Sequence, residues 1–149
     1  MSTNTITVFD SAVADAHQWL NEISDALDYN DKHFALQALR GVLHALRDRL
    51  TIDQSAHLSA QLPLLIRGLY FENWNPEPLP SRDRSIDGFL DHVNVSMEGY
   101  RGGRADLVES CEAVFAVLRR HISWGEDEKV GKALPREIAA LWNFEAPAL

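Results

Sequence analysis

Ala38-Leu39-Arg40-Gly41-Val42-Leu43-His44-Ala45-Leu46-Arg47-Asp48-Arg49-Leu50 is answered 72 positions later by Ser110-Cys111-Glu112-Ala113-Val114-Phe115-Ala116-Val117-Leu118-Arg119-Arg120-His121-Ile122. Extended at the same offset, residues 38–71 lie on residues 110–143 without a gap. Seven of the 34 positions are identical: Val42/Val114, Leu46/Leu118, Arg47/Arg119, Leu62/Leu134, Pro63/Pro135, Ile66/Ile138 and Leu69/Leu141. Chance at ordinary composition would give roughly two. Leu50/Ile122, Leu58/Val130 and Tyr70/Trp142 are similar rather than identical. One structural unit written twice accounts for this, and repeated units bury together what one cannot bury alone.

The unit is helical. Leu36, Leu39, Leu43, Leu46 and Leu50 recur every three or four residues, as do Leu107, Cys111, Val114, Leu118 and Ile122. That spacing makes one apolar stripe along a helix. Both stripes run into the same punctuation. Thr51-x-x-Gln54 and Ser123-x-x-Glu126 read as capping boxes, and Leu62-Pro63 and Leu134-Pro135 each open a further helix, where the missing proline N–H is not needed. Upstream, Trp19-Leu20 with Ile23 matches Phe89-Leu90 with Val93 at an offset of 70, and two extra residues around Gly102-Gly103 restore the later register. The pattern predicts helices near 11–28, 32–50, 53–61 and 63–72, then near 85–97, 104–121, 124–133 and 135–144. No segment alternates long enough for a strand.

The expected organisation is therefore all-α, a tandem repeat of two helical units packed as one bundle-like domain. Residues 1–72 form the first unit and 85–144 the second. Residues 73–84 hold three of the six prolines and read as an extended linker, with Trp74 and Leu79 packing it onto the surface. Residues 145–149, with Pro147, form a tail. The 149 residues are 46% hydrophobic, enough for a shared core or two adjoining ones.

Charge narrows the choice of partners. The net charge is -8, and residues 1–30 carry Asp10, Asp15, Glu22, Asp25 and Asp28 with no lysine or arginine. Such a field repels nucleic acid and anionic lipid. The mildly basic centre (Lys32, Arg40, Arg47, Arg49, Arg67) supports nucleic-acid regulation only as a minority reading. The start of the chain has neither the basic end nor the apolar run of a signal peptide, no stretch has the length of a membrane span, and the single cysteine excludes an internal disulfide. The expected location is the cytoplasm.

The run from Ala38 to Leu50, together with Ala60-Gln61-Leu62-Pro63-Leu64-Leu65-Ile66-Arg67-Gly68-Leu69-Tyr70 and the later Trp74, resembles the bacterial family called domain of unknown function 2267. The resemblance continues at Val117-Leu118-Arg119 and Ala133-Leu134-Pro135 and covers nearly the whole chain. It implies a helical bacterial protein with two such units, and no activity, because that family is uncharacterised. Ala116 and Arg120 stand where the first unit has His44 and Asp48, so any chemistry using that pair is confined to one unit.

Arg40, His44, Arg47 and Asp48 share one arc of the 32–50 helix with Gln37, opposite the leucines. Two arginines flanking a histidine suit a carboxylate or phosphate, and His44 with Asp48 is an i, i+4 pair for a metal or proton transfer. The plainer reading is a solvated helix face whose Arg/Asp pairs tie it to a neighbouring helix. The recurrence of Arg47 as Arg119 points to a structural task for that arginine. Arg67, Tyr70, Phe71 and Trp74 have the composition of an interface anchor, or of packing between the units. No catalytic residue, metal site or cofactor is expected. His-Glu-x-x-His and the Gly-x-Ser-x-Gly elbow are missing, and Cys111 lies on an apolar stripe where a thiol is inert. Gly99-Tyr100-Arg101-Gly102-Gly103-Arg104 reads as a turn before a helix rather than an anion loop. The leading expectation is a non-catalytic interaction or regulatory module, with a protein partner or self-association. The alternative is a small-ligand or anion-binding protein, an enzyme among the forms it could take, centred on Arg40, His44, Arg47 and Asp48. A pocket on that face would favour the alternative, and a flat face with an exposed aromatic patch would favour the module.

Overall fold

The computed structural model describes residues 6–76, 80–97 and 103–144. Among them are eight helices and no strand: α1 Thr7–Leu27, α2 Lys32–Arg47, α3 Ile52–Ser59, α4 Leu64–Phe71, α5 Ile86–Ser96, α6 Arg104–His121, α7 Trp124–Ala133 and α8 Arg136–Trp142. None of these is long and apolar enough to cross a membrane. Leu79, most of the glycine-rich stretch at 99–104 and Pro147 lie outside the described residues.

Local chemistry sets the helix ends. The Asp31 side chain accepts the N–H groups of His33 and Phe34 at 2.9 and 3.1 Å and starts α2. Thr51 and Gln54 form the full reciprocal capping box at α3. The second box is built differently from expectation. Ser123 accepts the Glu126 N–H, but its own N–H donates to Gln61 Oε1 at 2.7 Å. The bond that replaces the reciprocal one comes from just beyond α3, so the start of α7 is tied to the other half of the chain. Pro63 and Pro135 stand immediately before α4 and α8. Helix α2 stops at Arg47 rather than running to Leu50; residues 48–50 form a turn.

Helix α2 lies at the centre, packed on α1, α4, α5 and α6, while α6 packs on α1, α2, α5 and α8, and α3 meets α7. A single hydrophobic cluster runs through the molecule, from Trp19 and Ile23 through Leu39, Leu43, Leu46 and Tyr70 to Phe89, Phe115, Ile138 and Trp142. Each fully buried side chain of this kind contributes about 1.5–3 kcal/mol. The leucine stripe holds from Leu39 to Leu50, while Leu36 is only half-buried. Ala35, Ala38, Val42 and Ala45 are buried as well, so α2 is enclosed on far more than one face. Its closest neighbour is α5. A Cβ at Gly41 would lie 2.8 Å from the Val93 carbonyl oxygen and 3.0 Å from Met97 Cγ, a separation that only glycine permits.

Candidate functional site

The α2 arc is not a solvated face. His44 and Arg47 are 7% and 4% exposed, covered by the end of α4 and by α5. Their first task is structural. The last carbonyls of a helix have no partner within it. Arg47 Nη1 donates to the carbonyls of Tyr70 and Glu72 at 3.0 and 2.7 Å, and its Nε donates to Asp48 at 2.9 Å. His44 Nε2 lies 2.8 Å from the Leu69 carbonyl. A carbonyl only accepts, so Nε2 carries the hydrogen and Nδ1 is bare. Together the two side chains close the carbonyl end of α4. Arg119 treats α8 the same way, donating to the Trp142 carbonyl at 3.0 Å, but it takes its carboxylate from Asp127 at 2.9 Å.

Around these caps lies an open cleft of about 540 Å³, lined by Arg40, His44 and Arg47 from α2, Asp48 just after it, Glu72 and Asn73 after α4, and His92, Val95 and Ser96 from α5. All four site residues expected from sequence border it. Arg40 Nε donates to Glu72 at 2.8 Å, and the same carboxylate oxygen is 3.8 Å from His44 Nε2. Asp48 lies between Arg47 and His92, with Oδ2 3.5 Å from His92 Nε2. Arg49 donates to His92 Nδ1 at 2.9 Å and stacks over Phe89 at 5.4 Å. A guanidinium only donates, so His92 is neutral with its hydrogen on Nε2, facing Asp48. Burial holds both histidines below the ordinary imidazole range, so both are neutral at pH 7. Asn73 holds a left-handed backbone, φ 56°, at the cleft rim. Strain of this kind gathers at binding sites.

Glu72, Asn73, His92 and Ser96 escape sequence reading because they come from a turn and from a helix some fifty positions away. The left-handed tolerance of asparagine at Asn73 is the one local signal. No group of three or more His, Cys, Asp or Glu among the described residues has a metal-binding arrangement. His44 faces the Leu69 carbonyl, and Asp48 the Arg47 guanidinium.

The aromatic cluster divides between the core and the surface. Tyr70 is wholly buried, and its hydroxyl is 2.9 Å from Ser55 Oγ. Burial raises its phenol above the ordinary value. Phe71 and Trp74 are half-buried, with ring centroids 5.0 Å apart. Arg67 turns back to cap α3, donating to the carbonyls of Ser59 and Leu62 at 2.9 Å each. Cys111 is buried, with its thiol pushed up to about 12 by desolvation.

A family model described as an uncharacterised conserved protein, DUF2267, matches residues 16–141. The chain belongs to the DUF2267 family. No curated protein matches it. The DUF2267 match runs from the middle of α1 to the penultimate residue of α8, so the cleft and the α4 end that Arg47 caps lie within the family domain.

Proposed function

We propose that this DUF2267 protein is a non-catalytic, ligand-responsive helical module whose α2–α4–α5 cleft takes a small anionic molecule, a carboxylate or phosphate. One observation carries the reading: Arg40, His44, Arg47 and Asp48 border a single cleft that is completed by Glu72, Asn73, His92 and Ser96. Arg40 is the ligand-facing cation, because Arg47 is committed to the carbonyls of α4. A planar guanidinium has five N–H donors, and Glu72 takes the Nε one here. An incoming anion competes with Glu72 for Arg40. Two neutral imidazoles and the Asn73 and Ser96 side chains supply uncharged hydrogen-bonding groups beside it.

The test is the melting temperature of the full chain with phosphate, sulfate, citrate or acetate at constant ionic strength. At least one raises it in the parent. Arg40→Gln loses the rise while keeping the anion-free stability within about 1 kcal/mol, since the Arg40–Glu72 pair is partly exposed. Glu72→Gln, which removes the internal competitor, enlarges the rise. No response to any anion in the parent would overturn the reading.

The same proposal takes the chain as two units, α1–α4 and α5–α8, that exchange their first helices around a pseudo-twofold axis. It is supported by the pairing pattern: α1 packs on α6 as α5 packs on α2, and α4 on α2 as α8 on α6. It is supported also by residues 72 apart doing the same thing. Arg47 and Arg119 cap the carbonyls of Tyr70 and Trp142, and the rings of those two reach Ser55 and Asp127. In this scheme the linker over 73–84 joins the units, and its Ser81 N–H donates to the Asp48 carbonyl at 2.7 Å, beside the cleft.

A second reading, self-association, is favoured by Ile6 at the N-cap of α1 and Phe9 and Val13 on its first turns, all exposed at three- and four-residue spacing. Sedimentation of the parent beside Phe9→Ser decides it. A parent that is monomeric at all concentrations removes this reading.

A further inference from the structure

The charges bordering the α2–α4–α5 cleft cancel: Arg40 and Arg47 stand against Asp48 and Glu72, and both histidines are neutral. The four groups form two pairs. Arg47 is buried and also donates to the carbonyls of Tyr70 and Glu72, so its contact with Asp48 is fixed. Arg40 and Glu72 are partly exposed and meet through one contact, Nε to Oε1 at 2.8 Å, rather than as a two-pronged fork. Such a pair opens at little cost. It is the movable part of the cleft.

Three features point to a ligand that carries both signs. First, an anion that draws Arg40 away leaves Glu72 without a guanidinium. No third arginine or lysine among the described residues borders the cleft. Glu72 is also the C-cap of α4, at the negative end of the helix dipole. A plain anion therefore sits beside an unpaired carboxylate, and like charges repel. Second, Arg40 and His44 both face Glu72 Oε1, at 2.8 and 3.8 Å, which leaves Oε2 to accept from a further donor. Third, His44 gives its one hydrogen to the Leu69 carbonyl. The other nitrogen is a lone pair on a ring that borders the cleft, a group that accepts from N–H and repels an anion.

Resting on the reading of this cleft as a carboxylate site, we propose that its ligand is a zwitterion of the amino-acid class, inserted into the Arg40–Glu72 pair with its carboxylate on the Arg40 guanidinium and its ammonium donating to Glu72. Two ion pairs replace one, and the cleft stays neutral. Its volume of about 540 Å³ has room for such a molecule. The probes are glycine, acetate, methylammonium and inorganic phosphate, each titrated into the 15N-labelled full chain at pH 7 and constant ionic strength, with amide shifts read at Arg40, Asn73 and Ser96. Glycine binds about fivefold more tightly than acetate or methylammonium, the gain of one half-solvated ion pair. Glu72→Gln brings glycine and acetate to the same affinity, and Arg40→Gln loses both. The two side chains are partly exposed, so the variants keep the parental spectrum away from the cleft. Acetate or methylammonium as tight as glycine, or a glycine preference that survives Glu72→Gln, overturns the zwitterion. Saturation by phosphate without saturation by glycine overturns it too, and leaves the anion site standing. Saturation by none of the four overturns both.

Discussion

At the scale of single residues, the decisive pieces are polar groups that close helix ends from a distance. Arg47 is buried and serves Tyr70, Glu72 and Asp48 at once. Arg47→Ala strips two carbonyls and leaves Asp48 without its guanidinium, which costs about 3 kcal/mol in urea unfolding. Arg119→Ala costs less, about 1–2 kcal/mol, because its side chain is a quarter exposed and water replaces part of what is lost. Equal losses would mean that the two caps do not differ in burial as described. His44 and His92 add a pH dependence. Each is held below its unfolded value of about 6.5, so between the folded and unfolded values the unfolded chain binds more protons. Stability is complete above about pH 7 and falls as the pH drops through about 6.5. The urea midpoint is lower at pH 5.5 than at pH 7.5, and the His44→Gln, His92→Gln double variant flattens that slope. A slope unchanged in the double variant would refute the assignment. Sequence placed Arg40, His44, Arg47 and Asp48 on one arc, because a helix period is local. It did not reveal that two of them end up capping α4, because that depends on where another helix comes to rest.

At the scale of helices, the glycines separate propensity from packing. Replacing a glycine inside a helix by alanine favours the helix by about 1 kcal/mol. At Gly68 on α4 a new Cβ meets nothing within 4 Å, so Gly68→Ala raises stability by about 0.5–1 kcal/mol. At Gly41 the Cβ runs into the Val93 carbonyl and Met97, and overpacking of about 1–3 kcal/mol exceeds the same propensity gain. Gly41→Ala therefore lowers the melting temperature while Gly68→Ala raises it; shifts of the same sign would show that α2 and α5 are not in such close contact. Helix positions were largely legible from stripes, prolines and caps. The residue that completes the Ser123 cap was not, since Gln61 arrives from 62 positions away.

At the scale of the whole molecule, neither half of the chain covers its own apolar surface. Helix α1 lies on α6 as well as on α2, and α5 is the main neighbour of α2. A fragment of residues 1–76 therefore lacks the cover that α5 and α6 give to Leu39, Val42 and Leu46, and it does not unfold cooperatively by itself. Adding residues 80–149 restores helical circular dichroism. A sharp, reversible melt of residues 1–76 alone would show that the first unit is independent. The sequence alone determined the helical class, the order of the helices and which side chains are oily enough to be hidden, because periodicity and capping act over a few residues. Only the tertiary structure decided which helix pairs with which and that a cleft opens between α2, α4 and α5. Those outcomes depend on contacts between residues far apart in the chain, whose free energy no local pattern records.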